Sequence, residues 1–120
     1  MRQRVKPNGT NHDLFLDFPS SKTYLAELLG VSRSTVYLWE NLIFWRSQSF
    51  REAYPKNEEG SFDRTAPLSP YQCWVLCRIG RLMGQVVTAA RVRQGITKNP
   101  SYTSLYTYRT ALKNLEKLGA

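Results

Sequence analysis

The run SSKTYLAELLGVSRSTVYLWEN, Ser20 to Asn41, decides the fold. Leu25, Leu28 and Leu29 recur at the spacing of one helix face, and Ala26 is small enough for a second helix to lie close over it. Gly30 stands where a helix end often turns left-handed, a conformation in which a side chain clashes. Val31 follows as an apolar plug, Ser32 is a good N-cap, and Val36 and Trp39 turn inward onto the leucines. The stretch predicts two helices joined by a tight turn, with Ser20 or Ser21 capping the first.

Turning Val36 and Trp39 inward leaves Ser32, Arg33, Ser34, Tyr37, Leu38 and Asn41 on the outer side of the second helix, with Thr35 at its edge. Arg can grip guanine through two parallel hydrogen bonds, Asn can do the same for adenine, and Ser and Tyr bond phosphates or base edges. A helix N-terminus also offers free N–H groups to a phosphate. Lys22, at the start of the first helix, and Arg4 and Lys6, in the N-terminal arm, are counted with this set.

Leu25-Ala26-Glu27-Leu28-Leu29-Gly30-Val31-Ser32 with Ser34-Thr35-Val36-Tyr37-Leu38-Trp39-Glu40-Asn41 resembles the helix-turn-helix of repressor/Cro-like transcriptional regulators, over about a fifth of the chain. The resemblance implies that Arg33, Ser34, Tyr37 and Asn41 face DNA. The order of parts also resembles, more weakly, the mercury-resistance-regulator-like (MerR-like) group. That layout implies a winged helix, with the wing between Arg46 and Pro67, a second helix pair over Leu68 to Arg93 and a C-terminal dimerisation helix, here shorter than that group's coiled coil. An ordinary antiparallel helix pair is the competing reading of the same residues.

The chain of 120 residues carries 17 Lys and Arg against 9 Asp and Glu, a net charge of +8, which favours a polyanionic partner. Arg64 through Lys113 holds eight basic residues and no acidic one. Cys73 and Cys77 lie on one face of one helix, poorly placed to pair, and with His12 as the sole histidine no four Cys/His zinc ligands can be assembled. The expectation is two buried thiols, no metal and no cofactor. No apolar run reaches membrane-spanning length and no signal peptide is apparent, so a cytoplasmic location is expected.

These signals predict a mainly helical, all-α chain in three parts. Residues 1–19 form a basic arm, with Leu14, Leu16 and Phe18 alternating as a short strand or extended segment. Residues 20–67 hold the helix-turn-helix, then Leu42 to Trp45 feeding the core, a short helix or strand around Phe50 and Tyr54, and a wing, hairpin tip or loop. Residues 68–120 form a second helical unit. In it Ser69-Pro70 opens a helix with an apolar stripe of Val75, Ile79, Leu82 and Val86, a following helix stops at Gly95, and Asn99-Pro100 opens the last. Leu105, Tyr108, Leu112 and Leu115 supply a seam, widened by Tyr102 and Tyr106, for a homodimer or for packing back on the domain.

No phosphate-binding glycine loop, nucleophile elbow or paired-carboxylate helix is present, so no enzyme is expected. The expected function is sequence-specific binding of double-stranded DNA, as a transcriptional regulator. An accessory factor for recombination, excision or plasmid maintenance is the near alternative, and a non-catalytic protein-interaction module the alternative of a different class.

Overall fold

A computed structural model describes residues 12–85 and 88–119. Arg4, Lys6 and Val86 lie outside them. The architecture is all-α: helices α1 (Lys22–Leu29), α2 (Arg33–Phe44), α3 (Gln48–Glu52), α4 (Pro70–Gln85), α5 (Ala89–Lys98) and α6 (Leu105–Gly119), with a short 3-10 turn at Pro100–Thr103. Among the described residues no strand forms, and two isolated bridges, Ser20 with Leu68 and Lys56 with Phe62, are the extent of β pairing.

Local chemistry sets the α1–α2 pair. Ser21 Oγ accepts from the Tyr24 N–H at 3.0 Å, opening α1. At the other end Gly30 takes φ 71°. Its N–H bonds the Glu27 carbonyl while the Val31 N–H reaches back to Ala26, satisfying carbonyls that a helix end leaves bare. Ser32 then caps α2 through the Thr35 N–H at 3.2 Å. Leu25, Leu29, Val36 and Ile43 are fully buried between the two helices and the rest of the core, and Trp39 nearly so.

Helix α4 is the axis of the molecule. Ser69 and Gln72 cap each other reciprocally at its start, Ser69 Oγ accepting from the Gln72 N–H and Gln72 Oε1 from the Ser69 N–H. Every residue from Tyr71 to Cys77 is buried, so more than the expected stripe faces inward, as a helix enclosed on all sides requires. One continuous apolar cluster runs from Leu14 to Tyr108, so residues 20–67 and 68–120 share a core.

Several expectations need correction. Of the two alternatives for the segment before Pro19, the non-strand one packed on the core holds, with a single bridge at Ser20, but its alternation fails. Phe15 stacks on Tyr108 while Phe18 is 77% exposed. Leu42, Ile43 and Phe44 do feed the core, but Trp45 is 63% exposed. Between Arg46 and Pro67 the helix alternative holds as α3 and a compact loop follows it, while no wing strand forms among the described residues. Asn57 Oδ1 gathers the Glu59 and Ser61 N–H groups, and Gly60 takes φ 85°. Gly95 lies inside α5, which begins at a Thr88 cap and ends at Asn99. Ser104, not Asn99, caps the last helix, accepting from the Thr107 N–H. The α6 seam is partly spent inside the chain, because Tyr108 packs edge-on against Tyr71 and Trp74. Tyr106 and Leu115 remain exposed.

Candidate nucleic-acid interface

The interface candidate is built on α2. Because 3.6 residues make a turn, burying Val36, Trp39 and Ile43 leaves the opposite face of the helix to solvent. There Arg33, Ser34, Tyr37, Leu38 and Asn41 line one shallow open groove with no carboxylate in its wall. The Arg33 guanidinium lies 5.8 Å from the Tyr37 ring centroid, so the arginine is held over an aromatic face instead of sweeping freely. Ser32 and Thr35 are placed differently. Their hydroxyls lie 2.9 Å apart within the helix cap, and Thr35 is half-buried.

Lys22 does not join this face. It is buried, its ammonium donating to the Arg64 carbonyl at 2.7 Å and lying 5.0 Å from the Tyr37 ring centroid. Burial pushes its pKa below the ordinary lysine value. It supports Tyr37 from within.

The inner side of α2 carries a polar anchor that the sequence patterns did not single out. Glu40, 2% exposed, receives Arg64 Nε at 2.8 Å and Nη2 at 2.6 Å, together with the Tyr54 hydroxyl at 2.6 Å. Burial, and then the Glu40 carboxylate, raise the Tyr54 hydroxyl far above the usual tyrosine range. The Arg64 guanidinium also stacks 3.9 Å over Phe44, and its Nη2 reaches Asn41 Oδ1 at 3.4 Å. Through Arg64 the loop after α3 is fastened to both the buried and the exposed side of α2.

A second clasp ties the N-terminal segment to α4. Asp13 accepts from Arg78 Nη2 at 2.9 Å and Arg81 Nη2 at 2.7 Å, while Arg78 Nη1 donates to the Tyr102 carbonyl. Burial acts to raise the Asp13 pKa, but the two guanidiniums outweigh it and hold the carboxyl below its ordinary value. Arg64, Arg78 and Arg81, three of the eight basic residues in the run without an acid, are thus ion-paired to acids from outside it, Arg78 and Arg81 sharing the single carboxylate of Asp13. Arg91, Arg93, Lys98, Arg109 and Lys113 pair with no carboxylate among the described residues, and all but the half-buried Arg93 are exposed.

Cys73 and Cys77 are buried thiols, and Cys77 Sγ donates to the His12 carbonyl at 3.2 Å. Among the described residues no group of three or more His, Cys, Asp or Glu is arranged to hold a metal, and no helix is long and apolar enough to cross a membrane. Compared with known proteins, the chain matches no family model, no curated protein and no solved structure.

Proposed function

We propose that the protein binds double-stranded DNA sequence-specifically, with α2 in the major groove, and acts as a transcriptional regulator. The observation that carries this reading is the carboxylate-free groove of Arg33, Ser34, Tyr37, Leu38 and Asn41 on one exposed helix face. Arg33 and Asn41 are suited to bidentate reading of guanine and adenine, Leu38 to a thymine methyl group, and Ser34 and Tyr37 to phosphates or base edges. From Arg33 to Asn41 is eight residue steps, ~12 Å along the helix axis, or roughly four base pairs at 3.4 Å each. So short a reading frame cannot pick one site in a genome, and a homodimer reading two half-sites squares the discrimination. Tyr106 and Leu115, exposed on α6, are the surface on offer for that contact. An accessory factor in recombination or plasmid maintenance would use the same interface.

One observation favours a second reading. Leu38 and Trp45 are 69% and 63% exposed, and large apolar side chains in the open also suit a protein partner. Selection of bound sequences from a random DNA pool separates the two. Enrichment of a defined site, with Arg33→Ala costing ~1 to 3 kcal/mol there and relaxing one position, is the expected result. Failure to enrich any sequence, with binding that is absent at about 0.15 M salt, rejects DNA reading in favour of the protein-interaction module.

A further inference from the structure

The α2 groove does not end at Asn41. Leu38 and Asn41 also border a second depression, shared with Trp45, Arg46 and Arg93. Arg46 and Arg93 in turn border a third, floored by α5 and closed by Thr97 and Lys98. Arg46, Arg93 and Lys98 therefore converge on one hollow whose other lining residues, Ala90, Gln94 and Thr97, are small or neutral. Among the described residues none of the three meets a carboxylate. The three salt bridges of the described residues all engage Glu40 or Asp13, and Arg46 makes one weak bond of 3.3 Å to the Leu42 carbonyl of its own turn. Three like charges gathered without a counter-ion repel one another and are stabilised by an anion brought to them.

We infer that the Arg46–Arg93–Lys98 hollow binds the phosphate backbone of the duplex whose bases α2 reads, an inference that rests on the DNA-binding reading above. The geometry favours a backbone over base edges. Arg93 and Lys98 are five steps apart on α5, ~7.5 Å, about the rise of two base pairs, so each can meet its own phosphate on one strand. Their supporting helix packs on α4, leaving α2 as the helix with a continuous polar reading face. Trp45 stands exposed in the second depression, which shares Leu38 and Asn41 with the α2 groove and Arg46 and Arg93 with the hollow. Its ring packs edge-on against Phe44 at 4.9 Å, so DNA seated on both the groove and the hollow must pass over its indole. Trp39 and Trp74, by contrast, are buried, and a change in tryptophan emission on binding reports Trp45.

The test compares the parent with Arg46→Gln/Arg93→Gln/Lys98→Gln on a duplex selected by the parent and on a random-sequence duplex of equal length, over about 0.05 to 0.2 M salt. The expected result is an equal fold-loss on both duplexes, with the dependence of log affinity on log salt shallower by ~0.9 per lost contact, roughly 2.7 for three. The charge-preserving Arg46→Lys/Arg93→Lys variant should keep the parent slope, and this contrast holds even if the glutamine variant melts lower. Trp45 emission should shift with DNA, and the shift should vanish in Trp45→Phe. A parent that selects a site while the glutamine variant keeps its salt slope overturns this inference and leaves DNA reading intact. Loss confined to the selected duplex overturns it too, because the hollow would then read bases. A parent that binds no duplex removes both.

Discussion

Arg64→Ala tests the anchor behind α2, the helix proposed to read DNA. Glu40 is 3% exposed at its side chain and Arg64 32%, so deleting the guanidinium leaves a buried carboxylate with the Tyr54 hydroxyl as its remaining side-chain donor. Breaking a fully buried pair from one side costs ~3 to 5 kcal/mol, and water can reach the partly open Arg64 site, which puts the ionic part near the lower end. Loss of the guanidinium's stacking on Phe44 adds ~0.5 to 1 kcal/mol. The sum, ~3.5 kcal/mol, is a large share of the ~5 to 15 kcal/mol a domain possesses. At a urea slope of ~1.5 kcal/mol per molar, the unfolding midpoint drops by roughly 2.3 M.

The companion variant Glu40→Leu/Arg64→Met/Tyr54→Phe removes the whole polar cluster without orphaning any member. It should melt within ~1 kcal/mol of the parent, because an apolar replacement escapes the desolvation cost. Urea denaturation followed by circular dichroism reads both. If Arg64→Ala unfolds at the parent's midpoint, Glu40 is hydrated and the anchor is not what holds α2 in place.

Asp13→Asn should cost ~2 kcal/mol at neutral pH, between the values for exposed and fully buried pairs. Because the Asp13 pKa is depressed by folding, its stabilisation is present above the ordinary value near 4 and fades as pH falls through the folded one. The parent and variant stability curves should therefore converge in acid, and parallel curves would contradict the clasp. Tyr54, Tyr71, Tyr102 and Tyr108 all have raised pKa values, burial being the leading cause. Their contribution is complete below pH ~10 and is lost as pH rises further, so an ultraviolet titration should show these four of the seven tyrosines ionising only as the chain unfolds. Four or more reversible ionisations in the folded chain near pH ~10 would refute this. Burial pushes the Cys73 thiol up to about 12 and Cys77 up to about 11. A disulfide reagent at about pH 8 should leave both untouched until denaturant is added, and labelling at a rate independent of denaturant would show that they are open.

What the sequence made legible is what short-range chemistry controls. The Gly30 turn, the Ser32 and Ser69 caps, and the inward Val36 and Trp39 each depend on residues within one or two helical turns, and five of the residues assigned to the outer face share one groove. The misses are long-range or energetically cheap. Arg78 and Arg81 looked unopposed because Asp13 lies 65 and 68 positions away. Lys22 looked available because nothing local announces that the Arg64 carbonyl, 42 positions on, occupies it. Gly95 was expected to end a helix, but an internal glycine costs only about 1 kcal/mol relative to alanine, less than Val92 and Ile96 recover by burial on either side of it. Phe18 and Phe15 were indistinguishable by type. Their exchange of roles follows from a segment that lies on the core without a strand partner to impose alternation.

The anchor and the groove are two consequences of one rotation. Glu40 and Asn41 are neighbours in sequence and ~100° apart around the axis of α2, so the roll that seats Glu40 against Arg64 and Tyr54 also fixes the direction in which Asn41 points. Apolar packing alone constrains that angle loosely, since Val36, Trp39, Leu42 and Ile43 present a broad stripe that tolerates some roll. A carboxylate gripped by two guanidinium bonds and a tyrosine hydroxyl tolerates far less, because a roll of one residue would strip three short bonds from a buried charge. Such a pair is no better for stability than the hydrocarbon that could replace it. Its distinctive effect is angular, and the angle it sets is that of Arg33, Tyr37, Leu38 and Asn41 relative to the rest of the molecule. The apolar triple variant separates these effects, since it preserves stability while releasing the roll. With stability matched, its affinity for the selected duplex should fall while its affinity for random duplex stays near the parent's. Equal affinity on both duplexes would mean that hydrocarbon packing sets the angle unaided.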